Sequence, residues 1–177
     1  MKKLLLLFGM CLSLSFQLIA QENERIIKDF GQTFSVENPD VITDVNANHK
    51  IIFDITQSSE DKSIVNKYID TAARFLNMHA KAGLKPEQLH VAMTMHGGAW
   101  QDVMTNEAYK EKFGVDNPNV ELINQLTEAG VDVIICGQTA GARGLNKANV
   151  NPNVKFALSA MTALLQYQNN GYRFMKL

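Results

Sequence analysis

The side chains most able to do chemistry in this sequence are a thiol and an imidazole, Cys136 and His96, each followed at once by glycine. The chain has 2 cysteines, and Cys11 lies in an N-terminal apolar run that reads as a cleaved signal. Cys136 then stands alone in the mature chain, where no intrachain disulfide can form. A lone thiol in an oxidising compartment is either buried and inert or kept for its reactivity. Cys136 opens the stretch Gly137, Gln138, Thr139 and on to Arg143 and Gly144, which can begin a helix or a tight loop. Backbone N–H groups at such a start stabilise a thiolate, and Arg143 adds positive charge if it folds back. Position alone leaves two readings open: a nucleophile that accepts sulfur as a persulfide, or a small buried hydrophobe at a strand end. His96 also has two: a proton donor or acceptor beside the thiol, or a structural hydrogen-bonder before Gly97 and Gly98. Trp100, the only tryptophan, suits a pocket wall, an interface or the core.

Other chemistries have less behind them. His90, Met93, Met95 and His96 suggest copper, but along a strand the two histidines share one face and the two methionines the other. His96 with Cys136 remains as a minor copper arrangement, and no metal site is expected. Gly137, Gly141 and Gly144 match neither the dinucleotide nor the phosphate-loop glycine pattern. The turn Thr56, Gln57, Ser58, Ser59 is only faintly like a flavin phosphate loop, so no cofactor is expected. The sequence also lacks a carboxylate pair, a Ser-His-Asp order and a zinc-protease motif, leaving hydrolase chemistry without positive support.

These residues need elements to position them. Lys50 to Thr56 and Leu89 to Met95 are β-branched or apolar runs that read as strands, as does Val131 to Ile135 leading into Cys136. Ser58 and Asp61 have capping-box spacing, and Ile64, Val65, Tyr68, Ile69, Ala72, Leu76 and Ala80 recur at helical spacing up to Gly83. One or two short helices are expected between Ala99 and Lys112. Asp116, Asn117 and Pro118 supply a cap and an N-terminal proline for a helix bearing Leu122, Ile123 and Leu126. Val154 to Ala157 is a weak fourth strand, Ser159 to Gln168 a helix, and Tyr172 to Lys176 a last strand. Strands alternating with helices predict a three-layer α/β/α domain over 49–177, with a mainly parallel sheet of about five strands. In such sheets the ligand crevice lies beyond the carboxyl ends of the strands. That edge collects Gln57 and Ser58, then His96, Gly97 and Gly98, then Cys136, Gly137, Gln138 and Thr139. With Arg143 these are the expected site residues.

Ahead of the domain, residues 21–48 read as an extended arm lying on the domain or on a neighbouring subunit. Residues 1–20 have the layout of a secretory signal: Lys2 and Lys3, an apolar run from Leu4 to about Phe16, and Ala20 at the cleavage point. The protein is therefore expected to be exported, to the periplasm, with no membrane span once the signal is removed. Net charge is −1 for the whole chain and becomes more negative without the two lysines. No basic block is present, so nucleic acid and anionic membrane are poor partners.

Taken in order, several segments resemble the DsrE/DsrF-like (YchN-like) family in its exported branch. They are Lys50 to Thr56, His96 to Ala99, Asn117 to Leu122, Gly130 and Val131, Cys136 to Gln138, Ala157 to Met161, and Gly171 with Tyr172. The resemblance spans residues 48–177. It implies a compact α/β/α domain, assembly into trimers or hexamers, and a cysteine that carries sulfur as a persulfide between a donor and an acceptor protein. Cys136 resembles the cysteine of the family's Cys-Gly stretch. A sulfur carrier or sulfurtransferase-like protein is the expectation, with a non-catalytic oligomeric small-ligand-binding module as the alternative and copper handling behind both.

Overall fold

In the computed structural model, which describes residues 25–177, five strands form one sheet whose pairs are all parallel. The expected signal segment lies outside the described residues. In chain order the elements are β1 (His49–Ile55), α1 (Lys67–Lys81), β2 (Leu89–Met95), α2 (Asn106–Phe113), α3 (Val120–Glu128), β3 (Asp132–Cys136), α4 (Gly137–Arg143), β4 (Lys155–Ala157), α5 (Ala160–Asn169) and β5 (Arg173–Lys176). Short 3-10 turns at Pro86–Gln88 and Gly97–Val103 complete them. The strand order is β4-β3-β2-β1-β5, so the three most apolar strands occupy the centre, where both faces are covered.

Alternation along the strands divides the core in two. Ile51, Phe53, Ile55, Val91, Met93, Met95, Val133 and Ile135 pack in one cluster with Ile69, Ala72 and Leu76 of α1 and Leu122, Ile123 and Leu126 of α3. On the other face Ile52, Ala92, Ile134 and Cys136 are buried with Ala160 and Ala163 of α5, and α5 lies across the three central strands. That face also carries polar side chains: Asp54 is 7 % exposed and Thr94 fully buried.

Two expected helix starts are corrected. Helix α1 begins at Lys67 rather than near Ser58, because Asn66 is the cap and its side chain accepts the Tyr68 N–H at 2.9 Å. Ser58 gives its hydroxyl to Asp102 instead, and Asp61 closes a local turn onto Ser63. Farther along, α3 begins at Val120 with Asn119 at the cap position, so Pro118 precedes the helix instead of opening it; Asn117 accepts the Asn119 N–H across Pro118 at 3.0 Å in the turn ahead.

Residues 25–31 are docked on the domain. Ile27 is fully buried, and the Asn77 side chain of α1 accepts from the Ile27 N–H while donating to the carbonyls of Ile27, Phe30 and Gly31. Gly31 has φ +66° and lies so close that a Cβ there would sit 2.4 Å from the Ala73 carbonyl carbon. Beyond it the arm leaves Phe34, Val36, Val41 and Ile42 exposed.

Candidate functional site

Cys136 ends β3 and is also the residue before the first turn of α4. Its backbone is still extended, at φ −64° and ψ 117°, so the following amides turn back toward its own side chain. Gly137 makes that turn possible: a Cβ there would stand 2.5 Å from the Ala157 carbonyl oxygen and 3.1 Å from that of Leu158. The Cys-Gly pair is thus a steric requirement, since α4 starts against the end of β4.

The thiol is 6 % exposed. Burial pushes its pKa up, but the Thr139 amide and hydroxyl, with the amides of Ala160 and Gln138, outweigh that and hold it below the ordinary value. Hydrogen bonding to the charged form explains the direction. Ala160 is the first residue of α5, so the donors come from the starts of two different helices. Ser159 fixes the second of these by accepting the Thr162 N–H at 3.0 Å. The Gln138 side chain binds the Leu158 carbonyl at 3.2 Å, tying α4 to the same segment.

His96 follows Met95, which pairs with Ile135, so His96 and Cys136 occupy neighbouring strand ends. The imidazole turns toward β1 instead: its Nε2 bonds Asp54 Oδ1 at 2.8 Å, and Thr94 donates to the same oxygen at 2.9 Å. Among the described residues no hydrogen bond joins His96 to Cys136. With Nε2 committed to a carboxylate, Nδ1 is the nitrogen left to exchange protons with anything bound at the edge. Gly97, at φ +56°, and Gly98 bring this turn onto β1; the Gly98 N–H reaches the Thr56 carbonyl at 2.7 Å.

Three expected residues belong elsewhere. Arg143 lies in the last turn of α4, at the opposite end from the sulfur, with its guanidinium 5.5 Å from the Trp100 ring centre. It does not add charge to the thiol, because the helix carries it away. Ser58 and Gln57 serve an internal polar knot around Asp102, which is 1 % exposed. Asp102 accepts from the Ser58 hydroxyl at 2.7 Å, Asn66 Nδ2 at 2.7 Å and Asn119 Nδ2 at 3.3 Å, and Gln57 supplies a carbonyl to Asn66 at 2.7 Å. Burial raises the Asp102 carboxyl to about 6, with Ser58 and Asn66 pulling against it.

Sequence reading missed Asp54, Asp102 and the Ala160 amide. Asp54 had a usable signal, an acid inside an otherwise apolar central strand; the other two meet their partners only through tertiary contacts. Met93 and Met95 are fully buried on the α1 side, away from His96. Among the described residues no group of three or more His, Cys, Asp or Glu side chains is placed to hold a metal ion, and no helix is long and apolar enough to cross a membrane.

Comparison with known proteins fits this geometry into a family. No curated protein matches the sequence. Two solved structures share the fold: MTH1491, a protein of unknown function from Methanobacterium thermoautotrophicum, and the ychN protein from E. coli. Each is 14 % identical over 73 % of this chain and 99 % of the other, with TM-scores of 0.55 and 0.52 respectively. The family model described as DsrE/DsrF-like matches residues 50–177, which takes in every strand but the first residue of β1 together with Cys136 and His96. On that match the chain belongs to the DsrE/DsrF-like family.

Proposed function

We propose that this protein is an exported sulfur carrier, or a sulfurtransferase-like protein, in which Cys136 is the persulfide acceptor. The observation that carries the reading is the set of donors around the sulfur, the amides of Gln138, Thr139 and Ala160 and the Thr139 hydroxyl. They favour the thiolate, which is the nucleophilic form. In the step envisaged, the thiolate attacks a sulfane sulfur of a polysulfide and that S–S bond breaks. The shortened polysulfide leaves with the electron pair, and Cys136 becomes a persulfide whose terminal sulfur passes to an acceptor thiolate. In this reading His96, held by Asp54, exchanges the proton of the incoming or outgoing thiol.

Export rests on the signal-like layout of residues 1–20. The assembly is proposed as a homo-oligomer, trimeric or hexameric in line with the family resemblance. It is supported by Leu158, Met161 and Leu165, which are 72 %, 77 % and 60 % exposed at and along α5.

The test is to incubate the mature protein with polysulfide and weigh it intact. A Cys136-dependent gain of one sulfur atom (~32 Da) is expected. A thiol that reacts with small reagents yet gains no sulfur sinks the proposal. The thiol's low exposure favours a second reading, a non-catalytic oligomeric small-ligand-binding module. There the thiol would titrate only after unfolding and Cys136→Ser would leave assembly intact.

A further inference from the structure

The cavity beside Trp100 is not used by the chemistry at Cys136. It measures about 340 Å³ and is walled by Trp100 with Met104 and Leu145, and Lys112 and Arg143 also line it. That volume is at the small end of ligand pockets, roughly 300–1,000 Å³. Lys112 Nζ and Arg143 Cζ each lie 5.5 Å from the Trp100 ring centre. Both side chains are exposed, and neither forms an ion pair among the described residues. Both cations are drawn to the same indole, whose ring quadrupole attracts positive charge. Glu111 lines the same cavity, which leaves one net positive charge there.

The elements that bring the cations together are independent of one another. Lys112 comes from the last turn of α2 and Arg143 from the last turn of α4. Trp100 comes from the 3-10 turn after β2. Trp100 is 8 % exposed, so the indole is fixed in the wall. The Asn149 side chain is occupied, accepting from the Asn146 N–H and donating to the Gly144 carbonyl, and so stiffens the rim rather than reaching into the cavity.

We infer that this cavity, defined by Trp100, Lys112 and Arg143, binds a small organic anion: a carboxylate held between the two cations, attached to an apolar or aromatic body lying on the indole, Met104 and Leu145. An anion answers the net positive charge left in the cavity, and a flat or aliphatic body covers the apolar wall. The site is at the far end of α4 from Cys136, about 10 Å along the helix axis, and does not depend on sulfur chemistry there.

Trp100 is the only tryptophan, so its emission reports on this wall directly. The full chain would be titrated with phenylacetate, with its neutral analogue 2-phenylethanol, and with inorganic sulfate. Phenylacetate is expected to give a saturable change in emission. In the double variant Lys112→Gln, Arg143→Gln its affinity should fall roughly tenfold or more, with the thermal melt unchanged because both side chains are on the surface. The Trp100 indole N–H resonance, followed by NMR, gives a second readout independent of quenching by the cations. Three results would overturn the inference: no saturation by phenylacetate, equal binding of 2-phenylethanol, or the same affinity in the double variant. Sulfate binding as tightly as phenylacetate would also overturn it, by removing the role of the apolar wall.

Discussion

At the scale of single residues, two buried groups that both face donors behave in opposite ways because they are buried to different depths. Cys136 meets donors, which favour its anion; Asp102 also meets donors, but its burial is deeper and wins, raising the carboxyl to about 6. The consequence for Asp102 is a pH-dependent stability. Its folded pKa lies above the unfolded value near 4, so between those values the folded state holds the proton more tightly. Stability therefore falls as pH rises from about 4 to about 6 and levels off above that, by roughly 3 kcal/mol from this group. Urea unfolding across that range should show the fall in the natural protein. Asp102→Asn should flatten this contribution while lowering stability overall, since its amide would face the Asn66 amide, donor against donor. A natural protein equally stable at pH 4 and pH 7, with the variant showing the same flat profile, would contradict the assignment.

Among the elements, the docked arm and the turn regions show how local sequence is overridden. Residues 25–31 lack the periodicity of a helix or strand, yet they are held because Asn77, on the buried side of α1, satisfies backbone groups that would otherwise lose water without replacement. Asn77→Ala should release the arm. Limited proteolysis would then cut within residues 25–35 much faster than in the natural protein, and stability should fall by about 1–3 kcal/mol. Cleavage at an unchanged rate would mean that Ile27 and Gly31 hold the arm without the side chain. The same logic moved the start of α1. Ser58 has cap chemistry and the right spacing, but Asp102, brought in by the 3-10 turn, competes for its hydroxyl, and Asn66 is left to cap.

For the molecule as a whole, the two faces of the sheet are unequal. One is closed by α1 and α3, the other by α5, and α5 turns Met161 and Leu165 outward, next to the exposed Leu158. Apolar side chains clustered on one helix commonly mark contact surfaces. If that surface joins subunits, Met161→Glu with Leu165→Glu should convert the assembly to monomers in light scattering, with helical content kept because both side chains already point outward. A natural protein that is monomeric at all concentrations would remove the oligomer from the proposal. The burial of Cys136 between α4 and α5 makes this a question of function as well, since subunits packed against α5 would shape access to the sulfur.

The alternation of apolar strands and amphipathic helices by itself determined the α/β class, the parallel sheet and the placing of Cys136 and His96 at the carboxyl edge, because those patterns are local and periodic. Glycine after Cys136 was visible too, but its reason, the carbonyls of Ala157 and Leu158, was not. Tertiary structure alone decided that His96 leans on Asp54, that the Ala160 amide faces the Cys136 sulfur, that Ser58 serves Asp102, and that Arg143 joins Lys112 at Trp100. Each of these joins residues on different elements, and the direction of a side chain across a sheet edge or around a short helix depends on packing that no spacing along the chain encodes.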